Sequence, residues 1–293
     1  IYKMDYDVLV TFHLEHTADV TIATVRVPVD EAARFGILET DSNYRVRSFE
    51  EKPAEPKGTL ASMGIYAFNT EMLADVLAAD HEQHSSRHDF GADIIPRMVA
   101  SHRAYAFPYM GYWVDVGTIE AYWRAHMDLL VPEPRLDLLD RKWVIHTLSE
   151  ERPPVSIRNG ARVAHSMISD GCVIEGTVEN SVLSPGVFVQ AEAVVRNSVV
   201  MTDAIIEQGA RVDYAILDKR VRVGAGSQVG WGDAEAPGAP RGLLDGLTVV
   251  GKNSQIPPGM RISRNCTIAA DISEADFENY VLPSGSCVGV LAE

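Results

Sequence analysis

Residues 166–230 read SMISDGCVIEGTVENSVLSPGVFVQAEAVVRNSVVMTDAIIEQGARVDYAILDKRVRVGAGSQVG, a stretch in which one short pattern recurs. Each repeat opens with a small residue followed by two apolar residues, and the openings are 15, 17 and 17 residues apart. A β-branched apolar residue stands eight positions after each opening. The openings are Ser166, Ser181, Ser198 and Ala215, and the later apolar residues are Ile174, Val189, Ile206 and Val223. Short apolar strands at such a period indicate a solenoid, because each unit buries its apolar face only on its neighbours.

Several strands per period predict coils of three short strands, as in a left-handed parallel β-helix of the hexapeptide type. An antiparallel β-sandwich is the alternative that such strands leave open. Proline-rich runs at residues 131–134 and 152–154 mark a linker before the repeats. We therefore predict a first domain at 1–150 and a β-helix domain at 151–293. The segment Trp231–Gly246, rich in Gly, Ala, Pro and Asp, is predicted to be an exposed loop that interrupts the repeats.

Composition excludes several classes of function. The 26 basic and 41 acidic residues give a formal net charge of −15, whereas a nucleic-acid or anionic-membrane partner calls for a basic face. The three cysteines are odd in number and show no CxxC spacing, so they specify neither a disulfide framework nor a zinc site. A reducing compartment, the cytoplasm, is the simplest setting. We find neither a signal peptide nor an apolar run near the ~18 residues of a membrane helix.

The first half of the chain alternates predicted strands with predicted helices. This order indicates an α/β domain in which helices cover a sheet. The predicted helices are Tyr6–His16, Thr70–Ala79 with Thr70 as N-cap, Asp89–Ser101 interrupted near Pro96, and Thr118–Leu130. The predicted strands are Val20–Val27, Phe35–Thr40, Tyr44–Phe49, Met63–Phe68 and Ala104–Phe107.

Four short motifs in this half place polar or charged residues at the ends of predicted strands and helices. Lys52, which follows two glutamates at a strand end, suits phosphate as a point charge, although taken alone the pattern is more typical of a solvated charged strand end. Ser62 offers a hydroxyl at a strand start, two residues before a glycine that would permit close approach, although taken alone the pattern is more typical of an ordinary buried strand. Asp89 is read as a helix N-cap more readily than as a metal ligand with His88. Asp115 follows two aromatic residues and suits a hard divalent cation, or caps the helix that follows.

Taken in order, these motifs resemble the glucose-1-phosphate adenylyltransferases, also called ADP-glucose pyrophosphorylases. The resemblance covers nearly the whole chain and is weakest from Trp231 onward. The segments that carry it are Ile1-Tyr2-Lys3-Met4-Asp5-Tyr6, Phe35-Gly36, Glu50-Glu51-Lys52-Pro53, Ser62-Met63-Gly64-Ile65-Tyr66, His88-Asp89-Phe90-Gly91, Trp113-Val114-Asp115-Val116-Gly117-Thr118 and Asp140-Arg141-Lys142-Trp143. It implies a Rossmann-like, GT-A-like nucleotidyltransferase domain, N-terminally truncated, followed by the β-helix.

The resemblance also implies an activity and a role for individual residues. Glucose 1-phosphate would attack the α-phosphorus of ATP, which yields ADP-glucose and pyrophosphate for glycogen- or starch-type synthesis. Lys52 would bind the phosphate of glucose 1-phosphate, Glu51 the sugar hydroxyls, and Asp115 a Mg²⁺ ion. The remaining residues implied to line or shape the sugar site are Gly36, Ser62, Tyr66, Asp89, Phe90 and Trp113. A homotetramer and a small phosphorylated allosteric effector are implied as well.

This chain departs from the family pattern at three points. Residues 1–150 hold no glycine-rich loop with arginine and lysine for the phosphates of ATP, and no second metal-binding aspartate. Val114 stands where the family has arginine. A chain with only these residues would lack activity, so we expect a preceding segment of roughly a hundred residues. The alternatives that stay open are an inactive regulatory subunit, another sugar-1-phosphate nucleotidyltransferase and a hexapeptide acyltransferase.

Overall fold

The computed structural model describes residues 1–148, 150–232 and 246–289. By their contacts these residues form two compact units, Tyr2–Trp113 and the chain from Val114 onward, to which Ile1 also belongs. The domain boundary near residue 150 stays a prediction. Within the described part of the chain, no helix combines the length and apolar character that crossing a bilayer requires.

A five-stranded sheet forms the centre of the unit Tyr2–Trp113. Its spatial order is β3-β2-β4-β1-β5, in which β1 and β5 are parallel and the other neighbours are antiparallel. The strands are β1 Val20–Arg26, β2 Gly36–Thr40, β3 Val46–Glu51, β4 Leu60–Phe68 and β5 Ala104–Pro108. The helices are α1 Tyr6–Glu15, α2 Thr70–His81 and α3 Ile95–Ser101, with a π-helical turn at Phe90–Ile94 and a 3₁₀ turn at Ala32–Arg34.

Helices pack on both faces of this sheet, as the alternation of strands and helices predicts. On one face Val20 and Ile22 of β1 meet Ile95 and Met98 of α3 in one apolar cluster, which Met72 of α2 also joins. On the other face Leu9 of α1 packs with Ala23 and Met63. Alternate residues of β1 thus enter opposite clusters, which is the two-residue period of a strand buried on both sides.

Of two local predictions about helix ends, one is wrong and one is confirmed. Asn69 occupies the N-cap position of α2 and Thr70 is its first helical residue, so the prediction that Thr70 caps this helix is wrong. The predicted break near Pro96 is confirmed, since the π-helical turn ends at Ile94 and α3 carries that proline in its first turn. A missing proline amide costs nothing there, because the first amides of a helix lack intrahelical partners.

Three parallel sheets run along the β-helix that the repeats predict, and the sandwich alternative is wrong. The first sheet comprises Arg162–Ala164, Thr177–Glu179, Val194–Arg196, Arg211–Asp213, Gln228–Trp231, Arg261–Ser263 and Val281–Leu282. The second comprises Met167–Ile168, Val182–Leu183, Val199–Val200, Ala215–Leu217, Thr248–Val250, Thr267–Ile268 and Cys287–Val288. The third comprises Ser156–Ile157, Val173–Ile174, Phe188–Val189, Ile205–Ile206, Arg222–Val223 and Gln255–Ile256.

The aligned residues of the repeats lie on top of one another in this coil. Ile174, Val189, Ile206 and Val223 are consecutive partners in the third sheet and are fully buried. The predicted loop Trp231–Gly246 falls mostly on residues outside the described part of the chain, although Trp231 itself ends a strand. Because the aligned residues of successive repeats pair with each other, the repeat period equals the number of residues in one coil.

The serines that open the repeats form a hydrogen-bonded ladder along the coil axis. Ser166 Oγ accepts a hydrogen bond from Ser181 N at 3.1 Å, Ser181 Oγ from Ser198 N at 3.2 Å, and Ser198 Oγ from Ala215 N at 3.1 Å. Ser181 Oγ in turn donates to Glu179 O at 2.8 Å. Ser181 and Ser198 are fully buried, so each hydroxyl satisfies backbone groups where water cannot reach them.

A fourth helix, α4 Ile119–Met127, packs against the second sheet of the β-helix. Thr118, the predicted first residue of this helix, is its N-cap, since its Oγ1 accepts from Ala121 N at 3.1 Å. Trp123 enters an apolar cluster with Val199 and Ile216, and its Nε1–H donates to Asn197 O at 2.8 Å. The helix ends at Met127, three residues before the predicted end.

Candidate functional site

Glu51, the last residue of β3, lies against two glycine backbones from separate segments. It is directly opposite Gly36 in the antiparallel pair of β2 and β3. A Cβ atom added at Gly36 would lie 2.8 Å from Glu51 Oε2, and one added at Gly91 would lie 2.6 Å from it. Only glycine leaves room for the carboxylate at these positions. The structure therefore brings Gly36, Glu51 and the His88–Gly91 motif to one place.

The surroundings of Glu51 set its protonation behaviour. Burial raises the pKa of the Glu51 carboxyl above its ordinary value, the Lys52 ammonium partly offsets this, and Asp89 raises it further. A half-buried carboxylate with a carboxylate neighbour is a feature of binding and catalytic sites more than of structural surfaces. Such a group accepts hydrogen bonds from neutral hydroxyls, which are the groups that a sugar presents.

Lys52 follows Glu51 in an uncommon backbone conformation. Its φ is +47°, in the left-handed region that non-glycine residues seldom adopt, and its N–H donates to Phe35 O at 3.1 Å. Such a conformation costs of order 1 kcal/mol and persists where the surroundings fix it, most often at functional sites. The side chain is exposed, whereas Pro53 after it is buried and anchors the chain.

Ser62 and Tyr66 meet because β4 is irregular between them. Their Oγ and Oη atoms are 3.4 Å apart, whereas Cα atoms four residues apart in a regular strand are separated by about 13 Å. The register with β1 shifts in this region, and Gly64 between them has φ +71°. A Cβ at Gly64 would meet no protein atom within 4 Å, so within the protein this glycine is needed for its backbone conformation. The close approach at this glycine stays a prediction.

Phe90 forms an aromatic surface with Tyr66. The two rings are nearly parallel at 21°, with centroids 6.3 Å apart, and Phe90 is 39% exposed. Burial raises the pKa of the Tyr66 hydroxyl, the hydrogen bond from Ser62 lowers it, and the charges of Glu51 and Asp89 raise it. Tyr66 therefore stays a neutral hydroxyl near pH 7, able to donate or accept a hydrogen bond.

Asp89 caps the π-helical turn that carries Phe90. Its Oδ1 accepts from Ala92 N at 2.7 Å, which confirms the N-cap interpretation of this residue. Among residues 1–148, 150–232 and 246–289, no group of three or more His, Cys, Asp or Glu side chains forms a ready metal centre.

Trp113 belongs to a different apolar cluster from Tyr66, and Asp115 belongs to the other compact unit. Trp113 stacks edge-to-face on Phe35, with centroids 5.4 Å apart, in an apolar cluster other than that of Tyr66. Asp115 belongs to the second compact unit, where it is half-buried and adjoins Gly117. A single carboxylate fits Mg²⁺, because this ion is usually held by one or two carboxylates together with substrate phosphates and water.

Sequence reasoning missed two features of this site. The sequence motif that contains Gly91 gives this glycine no role, and only the structure shows that its missing side chain makes room for Glu51. The register shift at Gly64 was also missed, although a glycine inside a strand pattern is a known signal for a bulge.

Comparison with known proteins shows the class of protein to which this chain belongs. A family profile described as "Nucleotidyl transferase" matches residues 1–131, and one described as "GlmU-like, C-terminal hexapeptide" matches residues 155–239. The chain is therefore a nucleotidyltransferase domain followed by a hexapeptide-repeat, left-handed β-helix. Nucleotidyltransferases of this kind generally use a divalent metal.

Curated relatives narrow this class to a family. A protein of Thermomicrobium roseum named glucose-1-phosphate adenylyltransferase is 48% identical over all of this chain and 69% of its own length. Proteins of the same name from Acetivibrio thermocellus and Thermotoga maritima are 40% and 43% identical, over 98% and 100% of this chain and 68% and 70% of their own lengths. The chain belongs to the glucose-1-phosphate adenylyltransferase family.

Proposed function

We propose that this protein transfers the adenylyl group of ATP to glucose 1-phosphate, which gives ADP-glucose and pyrophosphate for the synthesis of glycogen- or starch-type glucans. The observation that supports the proposal is the arrangement of side chains at the end of β3. There Glu51 and Lys52 place a carboxylate and an ammonium side by side, bordered by Gly36 and by the His88–Gly91 motif. A sugar phosphate needs this pairing of a hydroxyl acceptor and a cation.

In the proposed reaction a phosphate oxygen of glucose 1-phosphate attacks the α-phosphorus of ATP. One P–O bond forms, the bond to the β-phosphate breaks, and pyrophosphate leaves with the electron pair. Because the attacking phosphate is already a nucleophile, the protein mainly positions anions and neutralises charge. Lys52 binds the attacking phosphate, while Glu51, Ser62 and Tyr66 hold the sugar hydroxyls.

The remaining members of the site orient the hexose. Phe90, with its partly exposed ring beside Tyr66, offers an apolar surface for the C–H face of the sugar. Asp89 adds negative charge near Glu51, and Trp113 supports the segment around Phe35. Asp115 would hold Mg²⁺, which supplies neutralisation of the charge on the phosphates.

We further propose a homotetramer in the cytoplasm that responds to a small phosphorylated effector. An exposed coil with open strand edges favours self-association. A groove on the β-helix is lined by Arg196, Arg211 and Arg264, together with Trp231 and Asp213. Three guanidinium groups beside an indole ring suit a phosphorylated metabolite, because guanidinium forks match phosphate oxygens.

Steady-state kinetics of pyrophosphate release test the reaction and the roles of two residues. The protein expressed from its natural reading frame should release pyrophosphate from ATP plus glucose 1-phosphate, and should not transfer acetyl groups from acetyl-CoA. Lys52→Ala should raise KM for glucose 1-phosphate, because it removes ground-state phosphate binding. Asp115→Ala should lower kcat. Binding of glucose 1-phosphate without turnover would instead indicate a regulatory subunit, and an unchanged KM in Lys52→Ala would remove that lysine from the site.

A further inference from the structure

Asp80, near the end of α2, carries a buried carboxylate that no role so far explains. The residue is only 2% exposed. His88 Nδ1 lies 2.7 Å from its Oδ2, Ser86 Oγ donates to its Oδ1 at 2.8 Å, and Arg97 forms an ion pair with Oδ1. A buried charge is tolerated only when it is paired and hydrogen-bonded in this way.

The partners of Asp80 come from two different segments. Ser86 and His88 belong to the connection between α2 and the π-helical turn, whereas Arg97 belongs to α3. Ser86 Oγ also accepts from His88 N at 3.1 Å and from Arg97 Nη2 at 3.2 Å, which closes the network. The His88 hydrogen bond, with those of Ser86 and Arg97, holds the pKa of the Asp80 carboxyl below its ordinary value against the effect of burial.

This network ends where the candidate sugar site begins. His88 has φ +60° and directly precedes Asp89, Phe90 and Gly91. Gly91 borders the Glu51 carboxylate, and Phe90 stacks on Tyr66. A displacement of His88 would therefore be passed along three covalently linked residues, each of which adjoins the site.

We propose that Asp80 is a positioning residue that holds the His88–Gly91 segment against Glu51 and so prepares the pocket for a hexose phosphate. The inference rests on the proposed function for its ligand, while its structural part does not depend on it. The hydrogen bonds and ion pair of Asp80 reach Ser86, His88 and Arg97, none of which is a proposed substrate-binding residue, so Asp80 acts through His88 and the backbone that follows. Without Asp80 the segment leaves its binding-competent position for part of the time, and apparent affinity falls by that fraction.

The first test replaces Asp80 by Asn, which keeps the shape and removes the charge. In the full protein, Asp80→Asn should raise KM for glucose 1-phosphate by about tenfold, with KM for ATP and kcat changed less than about twofold. The matched control is Asp19→Asn. Asp19 forms an ion pair with Arg103 in the same unit, with Nη2 and Oδ1 2.8 Å apart, and both belong to the connections preceding β1 and β5. This control should leave all three constants unchanged.

The second test separates the hydrogen bond from the presence of a side chain. His88→Asn retains a donor at the position of Nδ1 and tolerates the positive φ, since Asn adopts this backbone region more readily than other residues. His88→Ala removes the donor. We expect Ala to raise KM for glucose 1-phosphate and Asn to restore it within about threefold. The His88 side chain is 54% exposed, so both proteins should fold even if Asp80→Asn does not.

Hydrogen exchange of the backbone amides at residues 86–94 supplies a readout that is independent of substrate. Faster exchange there in Asp80→Asn and His88→Ala, with the rest of the sheet unchanged, supports the inference. Unchanged exchange and an unchanged KM overturn it. If the unsubstituted protein neither turns over nor binds glucose 1-phosphate while the exchange still responds, the proposed function fails and the positioning of the segment stands.

Discussion

Gly91→Ala should damage the sugar site without unfolding the protein. The added Cβ would lie 2.6 Å from Glu51 Oε2 and 2.7 Å from Glu51 Cδ, whereas unstrained contacts between such atoms are about 3.5 Å. The Glu51 carboxylate must therefore move by roughly 1 Å. This movement costs little folding energy, because a flexible side-chain end yields, and alanine stabilises a helical turn over glycine by about 1 kcal/mol.

In the proposed site, the displaced carboxylate would lose its hydrogen bonds to the sugar. Hydrogen bonds to a charged group are worth about 1.5–3 kcal/mol each, so KM for glucose 1-phosphate should rise roughly ten- to hundredfold. Steady-state pyrophosphate release measures the constant, and thermal unfolding should shift by only a few degrees. Gly58→Ala is the matched control, since its Cβ would meet nothing nearer than 3.9 Å.

The reasoning is refuted if Gly91→Ala binds glucose 1-phosphate as the unsubstituted protein does while a structure of the variant shows Glu51 displaced. That result would show that the carboxylate does not contact the sugar. A large loss of stability in Gly91→Ala would contradict the separate expectation that the turn tolerates a methyl group. Substrate binding and stability are measured separately, so a change in one does not hide a change in the other.

Two further predictions concern the stability of each unit. Ile206→Ala should destabilise the β-helix by about 2–5 kcal/mol, because Ile206 is fully buried. Ile205→Ala, on the outer side of the same strand, should cost less than about 1 kcal/mol. Chemical denaturation measures both free energies of unfolding, and equal losses would contradict the assignment of Ile206 to the inside and Ile205 to the outside of the coil. Burial lowers the pKa of His13 in the folded unit. As the pH drops, the unfolded chain therefore binds a proton at this histidine near pH 6.5, before the folded unit does. The free energy of unfolding should fall between about pH 7 and pH 5.5, by at most ~1.4 kcal/mol per pH unit. His13→Gln should reduce this pH dependence of stability, whereas His84→Gln, at an exposed position, should leave it unchanged. A stability that does not vary with pH over this range in the unsubstituted protein would refute the role given to His13.

The β-helix followed from the sequence because its interactions are periodic. A residue such as Ile174 meets its counterpart one coil later, so a fixed separation along the chain becomes a fixed contact in space. The same period placed Ser181 and Ser198 at equivalent positions. Their ladder of buried hydrogen bonds did not follow, because the sequence does not state which hydroxyls are shielded from water.

The helices and strands of the first unit also followed largely from local patterns. Asp89 caps its helical turn as its position predicts, because a capping bond reaches only two or three residues along the chain. The motif around Glu51 and Lys52 was visible as a strand end. Its chemistry came from the resemblance of ordered motifs to a known family, since charge pairs at strand ends are common on surfaces.

What only the tertiary structure decided is which distant residues meet. Gly91 borders Glu51, forty positions earlier in the chain, and Asp80 joins α2 to α3 through Arg97. Such contacts depend on the packing of helices on the sheet, and no local pattern encodes it. The sequence by itself determined the elements, the coil period and the candidate residues. Only the tertiary structure determined which residues surround the Glu51 carboxylate, because burial and proximity are properties of three-dimensional packing.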